Sequence, residues 1–199
     1  LATGGAEYRH PESVTGAIAV DTVPFGCYRK SLWRQVGGYD EWRTVNEDYV
    51  FSHKVRLGGM RVLLDPKIRS TYFARATLGG LARQYFRYGW GKAAMLKQYP
   101  DAVRWRQIIP ALFAGGLMSL ALLSVVLPLA RLPLMGVLIL YSGVLFAAAS
   151  QVASKTRSWS ALPVYVATFA IVQVGWGLGA CVNTITFGCW PAWATAANE

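Results

Sequence analysis

The chain has 199 residues, of which 54% are apolar and only 15% charged. A soluble domain carries about 25% charged residues, so this composition excludes a disordered chain and argues against a wholly water-soluble one. Lys and Arg number 20 against 10 acids, and the charges are unevenly spread: 17 basic and 9 acidic residues precede residue 108, and only Arg131, Lys155, Arg157 and Glu199 follow it. Two pieces are therefore expected, one basic and water-compatible, the other nearly free of charge.

Cys27, Cys181 and Cys189 are odd in number, widely spaced and form no CxxC pair, so neither a disulfide framework nor a zinc site is expected. The chain opens on "LATGG", without a basic-then-apolar leader. No signal peptide is expected, and a longer parent protein is.

In chain order, residues 17–23 ("AIAVDTV") read as a buried strand. Ser31 is expected to cap a short helix through Val36, stopped by Gly37 and Gly38. Asn46 is expected to cap a second helix, Glu47–Leu57, stopped by Gly58 and Gly59. Residues 60–64 ("MRVLL") and 68–74 ("IRSTYFA") read as further strands. Alternation of strands and helices predicts an α/β layer. No glycine-rich phosphate loop is present. Two acidic clusters, "GGYDE" at 37–41 and "NEDYVF" at 46–51, lie close together. Glu47 and Asp48 fall in a first helical turn, where the macrodipole favours carboxylates. They read either as ordinary N-terminal acids or as a catalytic pair. His10 and His53 are lone histidines without a ligand cluster, and His53 reads as a surface or packing residue.

Thr77 opens a long helix to about Gln98. Leu78, Leu81, Ala82, Tyr85, Phe86 and Gly89 form one apolar stripe. Gln84, Arg87 and Tyr88, at i, i+3 and i+4, share a neighbouring face. A basic, aromatic-rich helix ahead of a long apolar segment is expected to lie flat at a membrane surface, near anionic lipid.

Residues 108–130, 132–153 and 162–187 are charge-free runs of 23, 22 and 26 residues. About 20 helical residues cross a hydrocarbon core, so three spans are expected. Arg75, Arg83, Arg87, Lys92, Lys97, Arg104 and Arg106 precede the first span, Lys155 and Arg157 lie between the second and third, and the first hairpin has only Arg131, between Pro128 and Pro133. Basic flanks stay inside, so the soluble half and the second loop are expected on the cytoplasmic side. Gln173 and Asn183 are polar groups in the third span, beside "GWGLG" at 175–179. This run reads as close helix packing or as a contact with a lipid-linked substrate. No Asp, Glu, Lys or His lies inside a span, which argues against an ion pump. The basic residues abut the membrane instead of forming a recognition element, so no nucleic-acid partner is expected.

Taken together, the run "DTVPFGCYRKSLWRQVGGYDEWRTVNEDYVFSHKVRLGGMRVLLDPKIRSTYFARATLGGLARQYFRYGWGK" and the three spans after it resemble the C-terminal part of a membrane-bound family-2 glycosyltransferase of the succinoglycan exopolysaccharide type. The resemblance implies an α/β fold, a partial GT-A nucleotide-diphospho-sugar transferase domain, followed by three transmembrane helices. It divides the chain into residues 1–76 (catalytic-domain part), 77–107 (interfacial helix and linker) and 108–190 (spans). It implies inverting transfer from a nucleotide-diphosphate sugar to a lipid-linked glycan acceptor in the bacterial inner membrane. By matching the family's Thr-Glu-Asp-like motif, Asp48 becomes the base and Glu47 its neighbour, with Asn46 departing from Thr. The family's Gln-x-x-Arg-Trp is matched by Gln84, Arg87 and Tyr88, near donor diphosphate and acceptor, with Tyr88 in place of Trp. Phe25 and Gly26 resemble an acceptor-pocket loop, although a tight strand turn explains them equally. Asp40 belongs to a "GGFDE"-like element that shapes the acceptor side. The family's Asp-x-Asp, which holds Mg²⁺ or Mn²⁺, is missing, so no metal ligands are assigned and the chain alone is expected to be inactive. A non-catalytic membrane adaptor with a basic lipid-binding platform is the alternative.

Overall fold

The computed structural model describes residues 16–23, 25–40, 45–65, 67–68, 71, 73–102 and 107–186. The elements are β1 (Ile18–Val20), α1 (Lys30–Gln35), α2 (Glu47–Leu57), β2 (Val62–Leu64), α3 (Leu78–Gln98), α4 (Ile109–Val126), α5 (Arg131–Thr156), α6 (Leu162–Ala170), a π turn (Ile171–Gly175) and α7 (Trp176–Ile185). They form two compact units: Leu1–Ala74 with Met95–Gln107, and Arg75–Ala94 with Ile108–Glu199.

In the first unit, β1 and β2 pair antiparallel, with Ala19 opposite Leu63. The α/β expectation is met only in part. The sheet has two three-residue strands among the described residues, and most of the unit's regular structure is helix. The expected third strand at 68–74 does not form at its described positions. Phe73 there is 87% exposed and has no sheet face to cover; Arg69, Ser70 and Tyr72 lie outside the described residues. So do His10, Glu41, Arg104, Arg106, Cys189 and Glu199.

Helix α2 is the centre of this unit. Tyr49, Val50, Phe51, Ser52, His53 and Val55 are all buried. A helix buried on several sides needs partners on each. Phe51 and Val55 pack with Val62, Val20, Tyr28 and Leu32. Tyr49 and Val50 pack with Met95, Ala102 and Tyr99. The polar members are satisfied as burial requires. Ser52 Oγ lies 3.2 Å from both Thr22 Oγ1 and Tyr28 OH, and Tyr49 OH donates to the Ala102 carbonyl at 2.8 Å. His53 meets the Tyr99 ring edge-on at 5.6 Å and is a packing residue.

Two expected caps form differently. Helix α1 starts one residue before Ser31, with Arg29 as an extended N-cap lacking a side-chain bond. Ser31 thus falls inside the first turn, too late to cap it. Helix α2 has its expected bounds, but Asn46 is left-handed (φ 60°, ψ 22°) and its side chain makes no capping bond. Asn tolerates this conformation better than most residues. The glycine stops hold: Gly37, Gly38 and Gly59 all have positive φ. Thr77 caps α3, its Oγ1 accepting from Gly80 N at 3.1 Å.

In the second unit, three helical stretches, Ile109–Val126, Pro128–Thr156 and Trp159–Ile185, are long and apolar enough to cross a membrane. The second continues past the expected end at 153, so Lys155 lies in its last turn and Arg157, left-handed, ends it. Their outward faces are apolar, with Leu122, Val125, Leu129 and Leu140 each at least 70% exposed. Some hydroxyls fold back onto helix carbonyls, as Ser124 does to Ala121 and Thr184 to Ala180, which spares those groups an unpaired exposure to lipid. Arg131 donates to the Ser124 carbonyl across the α4–α5 hairpin. The glycines at 177 and 179 serve helix packing. A Cβ on Gly177 would overlap Pro110 and Ala114 of α4.

Candidate active site

The first candidate cluster surrounds the start of α2. Glu47 is exposed and Asp48 half-buried. Asp48 Oδ1 accepts the Tyr49 amide N–H at 2.7 Å. That amide is one of the first-turn donors a helix cannot satisfy internally, so the carboxylate is held at the helix end. Gly37 and Gly38 turn the chain so that residues 39 and 40 return to α2. A Cβ on Gly38 would lie 2.5 Å from the Trp33 ring. Tyr39 then packs on Phe51, ring centres 4.9 Å apart. Burial, then Tyr28, then the Asp48 and Glu47 carboxylates push the Tyr39 hydroxyl above its usual range. It stays protonated at neutral pH and can donate a hydrogen bond. Tyr28 and Tyr39 were not singled out from sequence. The signal available was the aromatic between Gly38 and Asp40.

Asp40 is engaged by α2. Lys54 Nζ donates to its Oδ1 at 2.6 Å, with both side chains less than a fifth exposed. Asp40 thereby ties the glycine turn to α2. Phe25 is left-handed (φ 54°) and 72% exposed. Gly26 is needed for the chain's own packing, since a Cβ there would lie 2.5 Å from the Tyr28 ring. Gly26 thus makes room for the Tyr28 ring without itself adopting a left-handed turn, and Phe25 is an outward aromatic on a strained backbone.

The second cluster lies on α3. Gln84 Nε2 donates to Tyr88 OH at 2.7 Å, and the Tyr85 and Tyr88 rings meet edge-on at 5.8 Å. Arg87 is half-buried on the same helix. Gln84, Arg87 and Tyr88 thus share one face, as their spacing predicts. This cluster belongs to the second unit and the carboxylates to the first.

Three of the described acids are already engaged. Asp40 is bound to Lys54, Asp21 pairs with Arg56 at 3.5 Å, and Asp65 Oδ1 accepts from Lys67 N at 2.9 Å. No three His, Cys, Asp or Glu side chains converge among the described residues.

A family model described as Glycosyl transferase family group 2 matches residues 25–183, most of the chain. The chain belongs to this glycosyltransferase family. The match contains both clusters and extends into α7. The chain is also 31% identical over 134 residues to the succinoglycan biosynthesis protein ExoA of Rhizobium meliloti (strain 1021). That alignment covers 64% of this chain and 39% of the relative, so the chain spans well under half the length of the curated protein it matches. No solved structure matches it.

Proposed function

We infer that this glycosyltransferase chain contributes the acceptor-side and membrane part of an inverting enzyme. The enzyme moves a sugar from a nucleotide-diphosphate donor to a lipid-linked glycan in cell-surface polysaccharide synthesis. An acceptor hydroxyl attacks the anomeric carbon, and the bond from that carbon to the diphosphate oxygen breaks. The diphosphate leaves with the electron pair, and the hydroxyl proton passes to Asp48. A carboxylate suits this step because it is ionised at neutral pH and can accept from a nearby hydroxyl. The observation that carries the reading is the half-buried Asp48 carboxylate, fixed at the start of a buried helix within a family-matched segment.

The remaining roles follow from side-chain chemistry. Arg87 offers a planar charged fork to the departing diphosphate. Gln84 and Tyr88 bind through amide, hydroxyl and ring, and Phe25 presents an aromatic face to the acceptor sugar. Glu47 orients the Asp48 region, and Asp40 holds the turn beneath it. Mg²⁺ or Mn²⁺ on the diphosphate would be held by residues outside those described. The basic residues before the first span favour a cytoplasmic catalytic side at the inner membrane. The family match favours this enzyme reading over a non-catalytic adaptor.

The test is transfer from labelled nucleotide sugars in membranes holding the full-length enzyme. Label entering an organic-extractable lipid product is expected. Label entering only water-soluble glycan overturns the lipid-linked acceptor.

A further inference from the structure

Helices α3 and α7 meet backbone to backbone at two glycines. A Cβ built on Gly89 of α3 would overlap the carbonyl oxygen of Trp176, and one on Gly179 of α7 would overlap the carbonyl oxygen of Phe86. The contact is reciprocal: each helix seats its glycine against the other's backbone. The π turn Ile171–Gly175 leads directly into α7. A π turn shifts the phase of the residues after it, and so sets which side of α7 meets α3. Phe86 lies in the same helical turn as Gln84, Arg87 and Tyr88.

We propose that Gly89 and Gly179 are positioning residues for sugar transfer, because their backbone contact sets the height and rotation of the α3 turn bearing Gln84, Arg87 and Tyr88. The proposal rests on the reading that this turn meets donor diphosphate and acceptor. Carbon-to-carbonyl contacts settle near about 3.3 Å. A methyl group at either glycine would therefore push α3 back by on the order of 1 Å. A misplacement of that size costs roughly 100-fold in rate when the displaced groups orient a reaction. An amphipathic helix merely resting on lipid would absorb the same shift.

The experiment compares Gly89→Ala and Gly179→Ala with Gly177→Ala, Gly143→Ala and Arg87→Ala in the full-length enzyme. Gly177→Ala is the structural control. It also creates an overlap on α7, but against α4. Gly143 has nothing within 4 Å of an added Cβ. Each variant is scored for melting temperature in detergent and for kcat per folded molecule. Gly89→Ala and Gly179→Ala should lose about 100-fold in kcat. Gly177→Ala should lower the melting temperature and keep kcat, and Gly143→Ala should change neither. Equal kcat in Gly179→Ala and Gly177→Ala overturns the proposal. Full activity in Arg87→Ala removes the reading beneath it, and the proposal with it. An inactive Arg87→Ala beside an active Gly179→Ala sinks the positioning role alone.

Discussion

Gln84 and Tyr88, one helical turn apart on α3, are joined by an amide-to-hydroxyl hydrogen bond of 2.7 Å. The bond fixes both side chains at one point of the face that also carries Arg87. It also gives Tyr88 a role beyond its ring. Tyr88→Phe should keep the ring but release the Gln84 amide, lowering transfer by up to about 10-fold, the worth of one modest hydrogen bond. Tyr88→Ala should lose considerably more. Initial rates at saturating donor distinguish them, and equal rates for the two variants would exclude a ring contact.

Lys54 and Asp40 hold the Gly37-Gly38 turn to α2 through an ion pair largely removed from water. Removing one partner of such a pair leaves a poorly solvated charge and costs on the order of 3 kcal/mol. Lys54→Met should therefore loosen residues 37–40 and α2. Amide hydrogen exchange should show lost protection in α2 and unchanged protection in α5.

Phe25 sits left-handed and exposed, a combination that favours neither stability nor burial. Phe25→Gly should leave stability within about 1 kcal/mol, because relief of strain offsets added unfolded-state entropy. By contrast, Phe51→Ala in the core should cost about 3–5 kcal/mol. The same Phe25→Gly variant should raise the acceptor KM by about 10-fold if the ring stacks on sugar. An unchanged KM would assign Phe25 to loop structure alone.

Burial, aided by Arg56 and opposed by Asp101, holds His53 below its usual histidine range. The unfolded chain therefore binds a proton more readily than the folded one. His53 contributes its full stability above the unfolded value of about 6.5, and the contribution is lost as pH falls from there through the folded value. The melting temperature should drop as pH falls below about 6.5. His53→Phe, which retains the ring packing on Tyr99, should flatten that drop.

Much of this architecture is readable from local signals. The bounds of α2 follow from Asn46 and the Gly58-Gly59 stop, and α3 follows from Thr77 and an apolar stripe whose Gly89 meets α7. The three long apolar helices need only their length and lack of charge. Tertiary effects were less visible. Tyr49, Ser52 and His53 look like a polar face, yet all three are buried: Met95, Ala102 and Tyr99 pack by Tyr49, Tyr99 meets His53, and Thr22 and Tyr28 close over Ser52. The apolar sequence at 68–74 suggested a strand, but a strand needs a neighbour to pair with, and none meets its described residues. Tyr39 escaped notice because its importance comes from proximity to Asp48 and Phe51, which no spacing rule encodes.

The decisive measurement is single-turnover transfer by Asp48→Asn in the full-length enzyme, alongside donor binding by calorimetry. Asparagine keeps the size and the contact to the Tyr49 amide but cannot take up the acceptor proton. The account predicts unchanged donor affinity and transfer reduced by at least about 100-fold, the low end for a lost general base. Transfer surviving at more than a few per cent, with normal donor binding, would contradict Asp48 as the base.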